Sequence, residues 1–261
     1  MIEERINKFT LRESAGISYR ESGLGPALIL LHGIGSSSAG WLFQLESIER
    51  FRVVAWDAPG YGRSQPLAER EPRAADYARS LERFLDSLEL TDAVLVANSL
   101  GALFAGAFAR AHPERVRSMF LISPAGGHRG DTTKLAERLK QLDELGPDGL
   151  AEKRSPTLVA KRSPSVALEL VRWSQRRIHP PGYRQAAHCL AYGALTEDAR
   201  HFAKPVRVVC GTEDTITPEA SCKAIARAFP QGDYSSLPGI GHCAHIEDPT
   251  TINAMLAEFA T

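Results

Sequence analysis

The amino-acid sequence predicts an α/β protein: a mostly parallel, eight-stranded sheet flanked by helices, with a helical insertion in its second half. Three observations carry this. Short apolar runs such as Ala27-Leu28-Ile29-Leu30-Leu31 and Ala93-Val94-Leu95-Val96-Ala97 have no polar alternation, as expected of strands buried on both faces. Segments with helical spacing separate them, and such alternation gives a parallel sheet with helices on both sides. From residue 127 to 203 the alternation fails, and helical patterns broken by proline take its place. At 261 residues the chain can bury one large core without a metal or disulfide staple.

In chain order, two alternating runs around Phe9-Thr10-Leu11 and Ile17-Ser18-Tyr19-Arg20, parted by Ser14-Ala15-Gly16, suggest an edge hairpin. The buried strand at Ala27–Leu31 ends in a polar loop, His32-Gly33-Ile34-Gly35-Ser36-Ser37-Ser38. A short helix follows from Trp41 to Ile48, then a second buried strand from Phe51 to Trp56 and a Gly/Pro turn from Asp57 to Ser64. Ala75 to Leu88 places Tyr77, Leu81, Phe84, Leu85 and Leu88 on one helical face. The strand at Ala93–Ala97 leads to a helix from Leu100 to Ala111, stopped by His112-Pro113, and Val116 to Ile122 makes another strand. Within the insertion, Leu135–Leu145 and Val166–Ile178 are helical, with breaks at Gly146-Pro147, Ser155-Pro156, Ser163-Pro164 and Pro180-Pro181-Gly182. The sheet pattern returns with Val206–Cys210, a helix from Pro218 to Phe229, a strand near Tyr234–Leu237 and a terminal helix from Thr250 to Phe259. The expected organisation is a core of residues 1–126 and 204–261 with a cap of residues 127–203.

With 31 Lys+Arg against 31 Asp+Glu, nothing in the overall charge favours nucleic acid or an anionic membrane as partner. A small-molecule substrate is expected instead. No apolar run approaches the roughly 18 residues of a membrane span, and the charged start Met1-Ile2-Glu3-Glu4-Arg5 precedes no apolar signal region, so a cytoplasmic location is expected. The four cysteines lack zinc-site spacing and read as free thiols. The insertion holds 13 Lys/Arg and 9 Asp/Glu, net +4, and the remainder is net −4. That asymmetry fits an anionic substrate under a basic cover, and equally a solvated helical surface.

The chemistry centres on Ala97-Asn98-Ser99-Leu100-Gly101. A serine between small residues at a strand-to-helix junction is the pattern of a nucleophile elbow, although a serine capping a helix after a buried strand has the same local sequence. A serine hydroxyl needs a base, and the base needs an orienting group. His242, in Gly239-Ile240-Gly241-His242-Cys243-Ala244-His245, lies between the last strand and the terminal helix, with His245 as local competitor. Asp214, in Gly211-Thr212-Glu213-Asp214, follows another strand. Glu213 is adjacent to it, and a plain helix-capping role for Asp214 is the alternative.

The order Ser99, Asp214, His242, together with His32-Gly33, Asp57-Ala58-Pro59-Gly60-Tyr61-Gly62-Arg63-Ser64 and Gly241-His242, resembles the α/β-hydrolase superfamily over nearly the whole chain. The resemblance implies a triad of Ser99, Asp214 and His242, an oxyanion hole from the backbone N–H groups of Ile34 and Leu100, and no cofactor. It also implies that His32 and the 57–64 turn are architectural. A serine at the elbow argues against family members that use a carboxylate nucleophile.

Within the superfamily the chain is most similar to 3-oxoadipate enol-lactonases, through Leu121-Ile122-Ser123-Pro124-Ala125, the 181–190 stretch and 211–220. The elbow Asn98-Ser99-Leu100-Gly101 also resembles hydrolases of meta-ring-fission products, which cut carbon–carbon bonds. Those enzymes usually carry more glycines after His-Gly and an aromatic residue after the catalytic histidine, where this chain has Ile34-Gly35-Ser36 and Cys243. The expected activity is hydrolysis of a small carboxylic ester or lactone through an acyl-enzyme, in catabolism of aromatic or related carboxylates. Carbon–carbon cleavage is the alternative, and a catalytically silent binding module is the alternative from another class. Arg172 and Trp173 are candidates to bind a substrate carboxylate or ring, with a solvated helix face as the other reading of Arg172.

Overall fold

A computed structural model, which describes residues 1–260, places the expected buried strands in one sheet. The strands are β1 (Arg12–Ser14), β2 (Ile17–Ser22), β3 (Ala27–Leu31), β4 (Arg52–Trp56), β5 (Ala93–Asn98), β6 (Val116–Ile122), β7 (Val206–Gly211) and β8 (Gly232–Leu237). Their order across the sheet is β1-β2-β4-β3-β5-β6-β7-β8. The β1–β2 and β2–β4 pairs are antiparallel, and every later pair is parallel. Parallel strands need long crossovers, and helices supply them.

Both faces of the sheet are covered, which explains the missing polar alternation. Ile29, Leu31, Leu95, Ala97 and Leu121 point into one apolar cluster, while Leu28, Leu30, Val94, Val96, Phe120 and Ile122 point into the other. The crossover helices are α2 (Leu42–Ser47), α3 (Ala74–Ser87) and α4 (Gly101–Ala111), preceded by a short α1 (Ile2–Ile6). Four helices fill the long connection between β6 and β7: α5 (Thr132–Arg154), α6 (Ser165–Arg176), α7 (Pro180–Tyr192) and α8 (Leu195–Ala199). After β7 come α9 (Glu219–Ala228), α10 (Ala244–Glu247) and α11 (Pro249–Phe259). Among the described residues no helix is long and apolar enough to cross a membrane. The four cysteines are free and buried.

Four local features add to or shift these expectations. The hairpin strand lies at Arg12–Ser14 rather than over Phe9–Leu11, because Ala15 and Gly16 both take positive φ (49° and 76°) and form a two-residue turn that pairs Ser14 with Ile17. The charged start folds into α1, since Ile2 and Ile6 fall on one face and pack with Leu170 and Val171 of α6. Pro180-Pro181 separates α6 from α7 and also begins α7, because proline is tolerated in a first helical turn. The expected break at Gly146-Pro147 is a sharp kink inside α5, with Gly146 at φ 61° and ψ −176°.

Candidate active site

Ser99 sits where β5 turns into α4, with φ at +51°. A non-glycine residue in this region is strained by about 1–2 kcal/mol, and it persists only where its surroundings hold it. Here the Ser99 N–H donates to Ile122 O (3.1 Å), and Ser99 O accepts from the N–H groups of Ala102 (3.1 Å) and Ala125 (3.0 Å). The small neighbours are explained by space. A Cβ on Gly101 would collide with the Leu31 carbonyl of β3, and one on Gly33 would lie 3.0 Å from the Ser99 Cβ. Ala97, where glycine is usual, fits within the apolar cluster beneath the sheet edge.

The acid and the histidine come from loops after β7 and β8. These loops meet because Gly211 has no side chain: a Cβ there would strike the carbonyls of Ile240 and Gly241. The Glu213 N–H donates to Ile240 O at 2.9 Å, which ties the loops together. Asp214 is buried and its neighbour Glu213 exposed, so Asp214 is the carboxylate that reaches the histidine. Asp214 Oδ2 lies 2.9 Å from His242 Nδ1 and accepts from Thr217 Oγ1 at 2.7 Å. Its Oδ1 accepts from the backbone N–H groups of Ile216 (2.8 Å) and Thr217 (2.9 Å). Burial alone would push this carboxyl up, but the hydrogen bond from His242, the histidine's charge and the Thr217 bonds outweigh it and hold it at about 2. An ionised carboxylate can only accept, so His242 Nδ1 carries a proton, and in the neutral form of the ring the lone pair is on Nε2.

His245 plays no such part. It packs against Trp41 with ring centroids 4.3 Å apart and the planes tilted by 36°, and burial, then the proximity of His242, push it down to about 3. His32 is a brace: Nε2 accepts from the Ala58 N–H (3.0 Å), so Nδ1 donates to Gly33 O (2.8 Å). Asp57 in the Gly/Pro turn accepts from the Ser38 N–H and the Ser18 hydroxyl, each at 2.6 Å. Both contacts are architectural.

Ser99 and His242 line one cavity with Gly33, Ile34 and Asn98. Leu100 follows Ser99 at the start of α4 and is 1 % exposed. The roof comes from the 127–203 segment, through Arg138 and Arg154 of α5, Leu158, Val171, Ser174 and Gln175 of α6, and Leu190 of α7. Arg172 and Trp173 are not brought to this cavity. Val171, Ser174 and Gln175 share the face of α6 that looks inward. Arg172 lies on the other side, 3.4 Å from Glu152, and the Trp173 ring is covered by the Arg177 guanidinium at 3.9 Å. The sequence carried a basic insertion but no local mark on Arg138 or Arg154, because a helical pattern does not say which azimuth faces the sheet.

Glu247 is a second residue with no local signal. Its buried carboxylate accepts from the N–H groups of Gly241 (2.9 Å) and Cys243 (3.0 Å), on either side of His242. It also accepts from the Ala160 N–H (2.8 Å) and Ser163 Oγ (2.5 Å) in the insertion. Among the described residues no group of three or more His, Cys, Asp or Glu is placed to hold a metal ion.

A family model for the alpha/beta hydrolase fold matches residues 26–249. The 2-hydroxy-6-oxo-6-phenylhexa-2,4-dienoate hydrolase of Burkholderia cepacia is 34% identical over 98% of this chain and 97% of its own. Among solved structures, a thermophilic esterase from Thermogutta terrifontis superposes with a TM-score of 0.86 at 26% identity, covering 96% of both chains. The enol-lactonase from Burkholderia xenovorans LB400 superposes with a TM-score of 0.85 at 22% identity, over 93% of this chain and 95% of its own, which is a likeness of fold.

Proposed function

The chain belongs to the α/β-hydrolase fold family, and from that membership we propose that it is a serine hydrolase cleaving a small carboxylic ester or lactone through an acyl-enzyme. The observation that carries this reading is the buried His242 Nδ1–Asp214 pair, which leaves Nε2 basic in the same cavity as the strained Ser99. In the proposed cycle Ser99 Oγ attacks the acyl carbon and gives its proton to His242 Nε2. The Ile34 and Leu100 N–H groups stabilise the oxyanion, a contribution of about 10²–10³ in rate for each such donor. His242 then protonates the leaving oxygen, and the acyl-enzyme forms. Water enters, loses a proton to His242 and releases the acid. Asp214 holds the imidazole tautomer and stabilises its charged form. Residues 127–203 act as the cap that covers the acyl group and excludes bulk water. The family relatives support a place in the breakdown of aromatic or related carboxylates.

Hydrolysis of a carbon–carbon bond in a ring-fission product is a second reading, favoured by the 34% identity to a dienoate hydrolase. Asn98 supports neither reading over the other: its Nδ2 donates to Ile122 O (3.1 Å) and His242 O (3.3 Å), so the amide joins β6 to the histidine loop. The test is an assay against 4-nitrophenyl acetate, an enol-lactone and a dienoate ring-fission product, together with fluorophosphonate labelling. A product burst and labelling that disappear in Ser99→Ala are expected. Turnover of the dienoate alone would move the assignment to carbon–carbon cleavage, and no turnover or labelling at all would leave a binding module.

A further inference from the structure

Several arginines of the insertion are paired with carboxylates. Arg172 and Arg176 face Glu152, and Arg184 meets Asp143. Among the insertion's cations without such a partner, Arg138 and Arg154, both on α5, are the ones that are partly buried. Among the described residues no carboxylate lies within 4.0 Å of either guanidinium, and the one polar side-chain contact at the pair is Arg138 Nη1 donating to the Tyr183 hydroxyl at 3.0 Å. Both arginines line the cavity that contains Ser99 and His242. Both also line an adjoining depression, which Lys134 and Lys153 make basic against the single carboxylate of Glu137. The two spaces share Leu190 and Ile216 as well, so the arginines stand in the wall between the reactive cavity and its basic approach.

Two guanidinium groups placed together, half-buried and without a counter-charge, repel one another and lose hydration, and an anion from outside the chain relieves both. Burial lowers the Arg154 pKa, and the charge of Arg138 lowers it further, as expected of a site lacking its anion. A guanidinium matches a carboxylate through two parallel hydrogen bonds, so the pair selects by geometry as well as charge.

We infer that Arg138 and Arg154 bind a carboxylate carried by the substrate, so that the preferred ester or lactone is an anion whose free carboxylate lies away from the carbonyl that Ser99 attacks. This deepens the hydrolase reading and rests on it for the chemical step. The basic depression outside steers such an anion toward the cavity, and high salt weakens that steering.

The test compares two substrates that differ only in the free carboxylate, mono-4-nitrophenyl glutarate and its methyl ester, on the wild type, Arg138→Met, Arg154→Met and Arg154→Lys. The monoanion should be the better substrate, chiefly through KM. Each Met variant should lose about 10- to 100-fold in kcat/KM for it, as expected when a hydrogen bond to a charged group is removed. The same variants should keep the methyl ester within about threefold, and Arg154→Lys should recover part of the loss. Calorimetric binding of glutarate to Ser99→Ala gives a readout without chemistry, and thermal melts show that each variant is folded. Equal turnover of the two esters, or equal losses on both in the Met variants, would overturn the inference and leave the hydrolase reading standing. Absence of turnover of either ester overturns the hydrolase reading. In that case glutarate binding to Ser99→Ala that is lost in the double variant Ser99→Ala/Arg154→Met still supports the carboxylate site, and no binding overturns it.

Discussion

Replacing Glu247 by alanine tests whether one buried carboxylate holds the histidine loop in place. The side chain is 4 % exposed and accepts from the N–H groups of Gly241, Cys243 and Ala160 and from the Ser163 hydroxyl. Hydrogen bonds to a charged acceptor contribute about 1.5–3 kcal/mol each, and a buried donor left without a partner costs about 1–3 kcal/mol. These figures do not add, because the native carboxylate pays its own desolvation and water can enter the space left by the truncation. Breaking a buried charged network by removing one partner costs about 3–5 kcal/mol, and that is the expected loss. At about 2–4 °C per kcal/mol for a chain of roughly this size, the melting temperature should fall by about 6–20 °C. The loop flanking His242 loses two anchors, so kcat toward an activated ester should fall by about 10- to 100-fold, the scale of an ångström-sized misplacement of a catalytic group. Glu247→Gln should fall between, since its amide offers one acceptor and turns two donors toward donors. Calorimetric melts and steady-state kinetics check both expectations. A Glu247→Ala protein that melts within about 2 °C of the parent and keeps its kcat would refute the assignment.

Asp248→Ala is a neighbouring control: it removes the cap from Thr251 N–H at the start of α11 and should cost about 1 kcal/mol with kcat unchanged. Asp214→Asn should keep the fold near neutral pH and lower kcat by about 10³–10⁴, measured by stopped-flow or labelling, because it removes the group that fixes the His242 tautomer. The Asp214 carboxyl lies at about 2 in the folded state against an ordinary 3.8, so its contribution is complete above about pH 4 and is lost as pH falls toward about 2. His245 is held down at about 3 from an ordinary 6.5, so the unfolded chain binds its proton first and stability falls as pH drops from about 6.5 toward 3. Urea midpoints measured between pH 7 and 4.5 should show that slope, and His245→Gln should flatten it. Arg172→Ala should leave kcat/KM for small esters within about twofold, since its partner is Glu152 on the outer face.

Much of this protein was legible in the sequence, for a physical reason that differs from part to part. The strands at Ala27–Leu31, Val116–Ile122 and Val206–Gly211 show as apolar runs because burial on both faces leaves no polar position. Ser99, Asp214 and His242 show because each lies in a short turn after a strand, with small or glycine neighbours that close backbone approaches require. The register of the first hairpin was less legible, since it depends on which two residues take the left-handed turn.

The sequence by itself therefore determined the sheet, the elbow and the order of the three site residues, all of which depend on spacing along the chain. Tertiary structure alone decided what surrounds them. Periodicity puts Val171, Ser174 and Gln175 on one face of α6 and Arg172 on another, but it does not say which face looks down on Ser99. In the same way, nothing local marks Arg138 and Arg154 as unpaired or Glu247 as an anchor, because a charge is paired or unpaired only through what the fold brings beside it.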